Sequence, residues 1–190
     1  MKLLLYIRKN KIMYLISIYF DQRTDETVSS YMKQIAKHTG NTVMVDEKVP
    51  PHITVAAFWE DSESRARKIF DNIAQQCNIG KLCWASVGCF LPHVIYIAPV
   101  LNEYLHQLSV ISNKEITCQQ HVRIEARYQP FQWFPHTTLA KKLTQEEMRC
   151  AFEVMQKQFG SLEGYAVKIG LAKTNPYTNL AVFNLNKKVK

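Results

Sequence analysis

The sequence has little of what marks repetitive or extended proteins. Only 6 of its 190 residues are glycine and 7 are proline, and no low-complexity tract interrupts it. Collagen-like, linker-rich and mainly disordered chains are therefore excluded. No apolar run approaches the roughly 18 residues of a membrane-spanning helix, so no membrane partner is expected. Hydrophobic residues make up 47% of the chain and charged residues 21%, which predicts a packed globular core.

The cysteines lack the spacing that zinc sites and paired disulfides show. The chain has five of them and no C-x-x-C pair. An odd number cannot all be paired with one another, so a reduced, cytoplasmic protein is expected and a metal site is not. Cys83 and Cys89 share one face of an alternating run, which predicts that both are small side chains of the core.

The net charge of +8 is concentrated at the two ends of the chain. Residues 1–12 contain four basic residues and no acid, and residues 187–190 contain three lysines and no acid. Without these seven positive charges the remainder carries +1, which is weak evidence for a long polyanionic partner. The N-terminal apolar stretch is shorter than a secretion signal, and we interpret residues 1–12 as an appendage and 187–190 as a basic tail.

The predicted strands and helices occur twice in the same order: strand, helix, strand beginning Pro-His-x-Thr, helix, strand. Three helices have N-terminal caps, predicted at Thr24, at Asp61 or Ser62, and at Thr144 with a capping box to Glu147. The region 114–133 is less regular. The predicted strands are 14–20, 51–58, 81–90, 94–98, 135–140, 165–172 and 179–185.

This repeated order indicates an internal duplication. We predict an α+β fold with two lobes, in which two antiparallel sheets face a central cleft and the helices lie outside. Residues 13–186 form the single domain, with halves of about 13–92 and 93–186.

The repeated tetrapeptide carries the candidate chemistry. Side chains two residues apart on a strand share a face, so His52 projects with Thr54, and His136 projects with Thr138. The two histidines are 84 residues apart, close to half the chain. One His-x-Thr on a strand is most often incidental, whereas two copies in matched positions favour a shared site.

These residues resemble the signature of the 2H phosphoesterase superfamily, which includes bacterial 2′-5′ RNA ligase-like proteins and RNA 2′,3′-cyclic phosphodiesterases. The signature is two His-x-Thr/Ser motifs, and the resemblance extends over about residues 13–185. It implies a bilobal α+β fold. A basic residue often follows the second motif in the family, and Lys141 occupies that region here. The first motif continues into Ala56-Ala57-Phe58-Trp59, unlike the bacterial cyclic phosphodiesterases.

Opening a cyclic phosphodiester needs one group to take a proton from water and another to give one to the leaving oxygen. Two imidazoles with pKa values near about 6.5 can do both at neutral pH, without a metal or other cofactor. The resemblance implies that His136 is the base and His52 the acid. Thr54 and Thr138 would hydrogen-bond the non-bridging oxygens, and Lys141 would add positive potential.

Aromatic residues cluster before the second motif. Tyr128 and Trp133 are the candidates for contact with a nucleobase, with Arg123 and Arg127 nearby. Packing in the core is the competing interpretation for these rings.

Three other functions remain open on the sequence alone. The first is 2′-5′ RNA ligation, which uses the same residues in reverse, and the second is a non-catalytic nucleotide-binding module. A metal site at the two histidines is the weakest, because no carboxylate or cysteine shares the motif strands. The expected partner is a nucleotide or an RNA end with a cyclic phosphate, and the expected state is a monomer.

Overall fold

The computed structural model describes residues 12–174 and 177–187. The predicted appendage therefore lies almost wholly outside the described residues, as does most of the basic tail. The first strand begins at Ile12, one residue inside the predicted appendage. None of the helices in the described part of the chain is both long and apolar enough to cross a bilayer.

Within the described residues, eight strands and five helices follow one another in an α+β arrangement, which confirms the predicted class. Ala126–Tyr128 forms a 3₁₀ turn. The strands are β1 Ile12–Phe20, β2 Ile53–Glu60, β3 Gly80–Phe90, β4 Val94–Pro99, β5 Arg123–Ile124, β6 Thr137–Ala140, β7 Leu162–Lys173 and β8 Thr178–Asn184. The helices are α1 Gln22–Thr39, α2 Val43–Asp46, α3 Glu63–Ala74, α4 Glu103–Thr117 and α5 Gln145–Gln158.

The strands form one hydrogen-bonded sheet, whereas we predicted two that face each other. Their order is β5-β2-β1-β7-β3-β4-β6, with β8 also paired to β7, and all these pairings are antiparallel. The strand that connects the two halves of the sheet is β7, which is 12 residues long. Its first residues pair with β3, and the remainder pairs with β1 and β8. One strand is therefore long enough to belong to both halves of the sheet.

The third strand of each repeat pairs with the first strand of the other repeat. β3 follows the first motif in sequence but pairs with β4, and β7 follows the second motif but pairs with β1. Since β3 and β7 also pair with each other, the two motif-bearing strands are tied into one structure. Apolar faces of the helices complete the core, through side chains such as Val28, Ile35 and Ile73.

Helix termini follow the sequence closely, with one correction. The cap of α1 is Asp21 and not Thr24, because the helix begins three residues earlier than predicted. Gly40 ends α1 in the left-handed region with φ 76°. Ser62 caps α3, and the capping box of Thr144 and Glu147 is confirmed.

The prediction that Cys83 and Cys89 are small side chains of the core holds only in part. Cys89 is partly buried and packs against the core, whereas Cys83 is partly buried beside the core side chains of Leu82 and Trp84. These side chains remove more apolar area from water than a thiol does, so they take the inner face. Cys77 is the buried cysteine, and burial raises its pKa to about 12. All five cysteines are free thiols.

Asp21 gives a test of how the first strand, α1 and β7 are held together. Its carboxylate accepts hydrogen bonds from the Thr24 amide and hydroxyl and from the Tyr165 amide. Burial opposes ionisation, but these hydrogen bonds outweigh it and lower the pKa of Asp21. We expect Asp21→Ala to lower the free energy of unfolding by about 1 kcal/mol at pH 7, measured by urea denaturation.

A carboxyl with a lowered native pKa contributes stability above its unfolded pKa of about 3.9 and loses that contribution as the pH falls through the native value. The difference in the free energy of unfolding between the unsubstituted protein and Asp21→Ala should therefore shrink below about pH 4. Asn102 is the control, since its uncharged amide caps α4. If the loss of unfolding free energy in Asp21→Ala were as independent of pH as the loss in Asn102→Ala, the proposed role of the carboxylate would be contradicted.

Candidate active site

The two motifs occupy equivalent positions in the two halves of the sheet. His52 immediately precedes β2 and His136 immediately precedes β6, so each threonine is the second residue of its strand. The intervening residues, Ile53 and Thr137, are fully buried on the other face. The Thr137 hydroxyl accepts a 3.1 Å hydrogen bond from the indole of Trp84, which anchors the second motif strand to the core.

A β-bulge follows each motif threonine. Between β1 and β2, Ile16 pairs with Ala56 and Ser17 pairs with Thr54. Val55 of β2 therefore has no partner of its own in the register. On β6 the register skips Leu139 in the same way, and Thr138 pairs with Tyr96. A bulge bends a strand and redirects the neighbouring side chains. Both threonines are thus placed by the same irregularity, which sequence alternation alone does not reveal.

Both motif histidines are oriented by the backbone two residues earlier. Nδ1 of His52 lies 2.7 Å from the carbonyl oxygen of Pro50, and Nδ1 of His136 lies 2.9 Å from that of Phe134. A carbonyl oxygen can only accept, so each Nδ1 carries the proton and donates it. In the neutral ring Nε2 then holds the lone pair, and it is the nitrogen left to exchange protons with a substrate.

The His52 imidazole is affected by burial and by neighbouring positive charge. Burial lowers the pKa of His52, and positive charge on His136 and on Lys141 lowers it further, against the opposing effect of the Pro50 hydrogen bond. Burial also lowers the pKa of His136. His136 and Lys141 thus act electrostatically on His52, although they come from a distant part of the sequence. Lys141 lines the same cavity as His52, whereas His136 lines a second one.

Aromatic rings surround each histidine. The His52 ring lies 6.3 Å from that of Tyr19 and 6.2 Å from that of Tyr177, and the latter pair is stacked. The His136 ring lies 4.8 Å from that of Phe90 and 5.5 Å from that of Tyr96. Such surroundings account for the partial burial of both imidazoles. Nothing in the pattern around Tyr19 or Tyr177 suggested this role.

Two glycines make room for the rings of Tyr19 and Tyr96, which lie beside His52 and His136 respectively. A Cβ added at Gly170 would come within 2.6 Å of the Tyr19 ring, and one added at Gly88 within 2.7 Å of the Tyr96 ring. Both glycines lie on the third strands of the repeats, β7 and β3. The close approach of ring and strand is therefore repeated in the two halves of the site.

The candidate base-stacking residues meet the first motif. The Trp133 indole donates a 2.9 Å hydrogen bond to the Thr54 carbonyl, and only 8% of the residue is exposed. The Thr54 hydroxyl lies 3.2 Å from that of Ser17. Burial raises the pKa of Tyr128, which interacts with the Thr54 side chain. Tyr128 and Trp133 thus both interact with Thr54. Trp133 is part of the hydrophobic core and Tyr128 packs against it, and both also line a cavity.

Two cavities, each of about 470 Å³, adjoin the motifs. In the first, His52 of one motif and Thr138 of the other line the same space, so the fold does bring the two motifs together. Among the described residues no group of three or more His, Cys, Asp or Glu side chains could hold a metal ion. The first cavity is also lined by Glu47, Lys141, Lys142 and Tyr177, and the second by Phe90, Glu125, Arg127, Tyr128, Trp133, Phe134 and His136.

Comparison of the sequence with models of known families gives a match. The sequence matches the 2′-5′ RNA ligase superfamily over residues 25–177. The chain belongs to this superfamily. Members of the superfamily are phosphoesterases and ligases of the two-histidine type, so a phosphoesterase-type function is supported. A comparison with curated proteins finds no match.

Solved structures share the fold of this superfamily member. Escherichia coli LigT in its apo form superposes with a TM-score of 0.62 at 15% identity, over 94% of this chain and 100% of LigT. A crystal structure described as a phosphoesterase gives a TM-score of 0.63 at 15% identity, over 93% and 99% of the two chains. The protein TT0787 of Thermus thermophilus gives 0.61 at 14%, over 94% and 100%. At these identities the likeness establishes the fold.

The electrostatic link between the histidines can be measured directly. We expect both to titrate below about pH 6.5 in a ¹H–¹³C NMR titration of the imidazole rings. His136→Gln should raise the pKa of His52, because it removes the repulsion between two imidazolium ions. The control is His38→Gln on the exposed surface of α1, which should leave the His52 titration unchanged. An unaltered His52 pKa in His136→Gln would show that the two rings do not interact.

Proposed function

We propose that the protein opens 2′,3′-cyclic phosphates by metal-independent acid–base catalysis with His52 and His136. The observation that carries this proposal is the matched pair of imidazoles, each of which donates its Nδ1 proton to a backbone carbonyl and so leaves Nε2 for the substrate. One neutral and one protonated imidazole supply both proton transfers of a hydrolysis.

The proposed division of labour has His136 as base and His52 as acid. His136 Nε2 takes a proton from water as the water oxygen forms a bond to phosphorus. The bond from phosphorus to one ribose oxygen breaks, and His52 Nε2 gives its proton to that oxygen. The product is a ribose phosphomonoester with one free hydroxyl, and the two histidines exchange protonation states before the next turnover.

Thr54, Thr138 and Lys141 are proposed to stabilise the charge that develops on the non-bridging oxygens. Positioned donors in a partly buried site act on charge that grows in the transition state. Thr138 and Lys141 line the same cavity as His52, which supports this role. Thr54 is held in place by Ser17 and by the Trp133 hydrogen bond to its carbonyl.

A nucleotide or an RNA end is the proposed carrier of the cyclic phosphate. The aromatic lining of the second cavity supports this choice, because aromatic faces stack on nucleobases of any sequence. Tyr128 and Trp133 remain the proposed contacts on this side. E. coli LigT has been crystallised with 3′-AMP, with ATP and with NADP⁺.

Ligation is the second candidate, because the superfamily that the chain matches is named for 2′-5′ RNA ligases. In ligation a 5′-hydroxyl takes the place of water: His136 takes the hydroxyl proton as its oxygen bonds to phosphorus, and His52 gives a proton to the ribose 3′ oxygen that leaves. The two histidines therefore keep the roles that they have in hydrolysis, and they exchange them only when a 2′-5′ bond is cleaved back to the cyclic phosphate.

The reaction is tested by incubating the protein, in EDTA, with 2′,3′-cyclic nucleotides and with RNAs that end in a cyclic phosphate, with and without a 5′-hydroxyl RNA. We expect phosphomonoester products without added metal. A 2′-5′ linked product would establish the ligase instead. Activity that is lost in EDTA and restored by a divalent ion would contradict metal independence. If no substrate gives a product, the proposed catalysis is wrong and the protein is better described as a nucleotide-binding module.

The two histidines should behave as one unit. His52→Ala and His136→Ala are each expected to reduce kcat by about 10² to 10⁴, the usual contribution of positioned proton transfer. The double variant should lose less than the product of the two single losses, because either loss alone disables the paired transfer. His106→Ala, outside both cavities, is the control. Near-normal turnover by either folded single variant would rule out the mechanism.

The pH dependence follows from the lowered histidine pKa values. A lowered pKa means that the proton is lost at a lower pH, so the state with one proton on the pair is most populated below about pH 6.5. We expect a bell-shaped profile of kcat/KM with its maximum there. Lys141→Met removes a charge that lowers the His52 pKa, so the limb that reports His52 should move to higher pH. A maximum above about pH 7.5 would be inconsistent with these environments.

A further inference from the structure

One acidic side chain lies among the basic groups of the first cavity. The Glu47 carboxylate accepts a 2.5 Å hydrogen bond from the Lys141 ammonium, and both residues line the cavity with His52 and Thr138. Both side chains keep about a third of their surface exposed, 39% for Glu47 and 32% for Lys141. The pair joins the turn after α2 to the segment after the second motif, 94 residues away in sequence.

Glu47 is held in this position by a packed turn. Its amide donates to the carbonyl of Val43, the first residue of α2. Met44 and Val49, on either side of it, are buried in the core, and Lys48 takes a left-handed φ of 50° that turns the chain. The turn therefore fixes the backbone of Glu47 in the cavity wall, and the Lys141 ammonium engages its carboxylate there.

Charged groups of both signs surround Glu47, and the positive ones are in excess in the cavity wall. Lys141 and Lys142 contribute two positive charges, and both interact favourably with Glu47 and keep its pKa below the usual range, with the Lys141 hydrogen bond as the largest cause. His52 and Tyr177 line the same cavity. Asp46 and Lys48 flank Glu47 in sequence, and Asp46 is engaged by the Thr42 hydroxyl. With neutral histidine, the cavity-lining groups carry a net charge of +1.

We propose that Glu47 moderates the charge preference of the site, weakening the attraction of the doubly charged phosphomonoester product more than that of the singly charged phosphodiester from which it is formed. The inference rests on the function proposed above. A cyclic phosphodiester carries one negative charge. Addition of water across one P–O bond gives a monoester whose second proton leaves with a pKa of about 6.

The physical effect is on release of product. The dianion is repelled by the Glu47 carboxylate about twice as strongly as the monoanion is, while Lys141 holds the phosphate for chemistry. One extra unit of charge at about 6 Å, in a water-like dielectric, corresponds to about a threefold change in affinity. Glu47 thus weakens retention of the product more than it weakens binding of the substrate.

The test compares two ligands by isothermal titration calorimetry: 3′-AMP, a monoester, and 2′,3′-cyclic AMP, a diester. Both are titrated into His136→Ala protein, so that the cyclic ligand is not consumed, with and without Glu47→Gln. The matched control is Glu163→Gln, which removes the carboxylate of a 2.9 Å ion pair with Lys81 outside the cavities. Each titration is done at pH 8 and at pH 5, where the monoester carries close to two charges and one charge respectively.

At pH 8, Glu47→Gln should tighten 3′-AMP about threefold more than it tightens cyclic AMP, and at pH 5 this difference should vanish. Glu163→Gln should change neither. Equal tightening of both ligands at pH 8, or no tightening of 3′-AMP, would overturn the inference. Failure of the proposed reaction is distinguishable, because it appears as absence of cyclic AMP turnover by the unsubstituted protein and does not affect the comparison of dissociation constants.

Discussion

The hydrogen bond from each histidine Nδ1 to the carbonyl two residues earlier is the constraint on which the site depends. In both motifs a proline separates carbonyl and histidine, as Pro50-Pro51-His52 and Phe134-Pro135-His136. A proline confines the residue before it to extended conformations, so the accepting carbonyl is held ready at the start of the strand. The bond then fixes the tautomer and the ring orientation together.

The sheet supplies the second condition, which is that the two motifs meet, since His52 of one and Thr138 of the other line one cavity. Exchange of the third strands between the repeats makes β3 and β7 neighbours, so neither half of the sheet can form without strands from both repeats. This topology also places Gly88 and Gly170 beneath the tyrosine rings that border the histidines. Duplication in the sequence therefore becomes a single shared site in the structure.

Much of this could be predicted where the chemistry is local. Period-two and helical patterns, the Gly40 terminator and the Thr144 capping box act over a few residues, and the two Pro-His-x-Thr copies identified the motif strands. The single sheet, the bulges at Val55 and Leu139 and the partial exposure of Cys83 depend on pairing between distant strands. Tyr19, Tyr177 and Glu47 carry no motif, and they join the site only because the fold brings them to His52 and Lys141.

The central claim is that two paired imidazoles divide acid and base roles, and one measurement tests it most directly. A cyclic phosphorothiolate, with sulfur in place of the leaving ribose oxygen, needs no proton on its leaving group. The account predicts that this substrate restores most of the lost rate to His52→Ala and little of it to His136→Ala. Equal rate losses for the oxygen and sulfur substrates in both variants would contradict it.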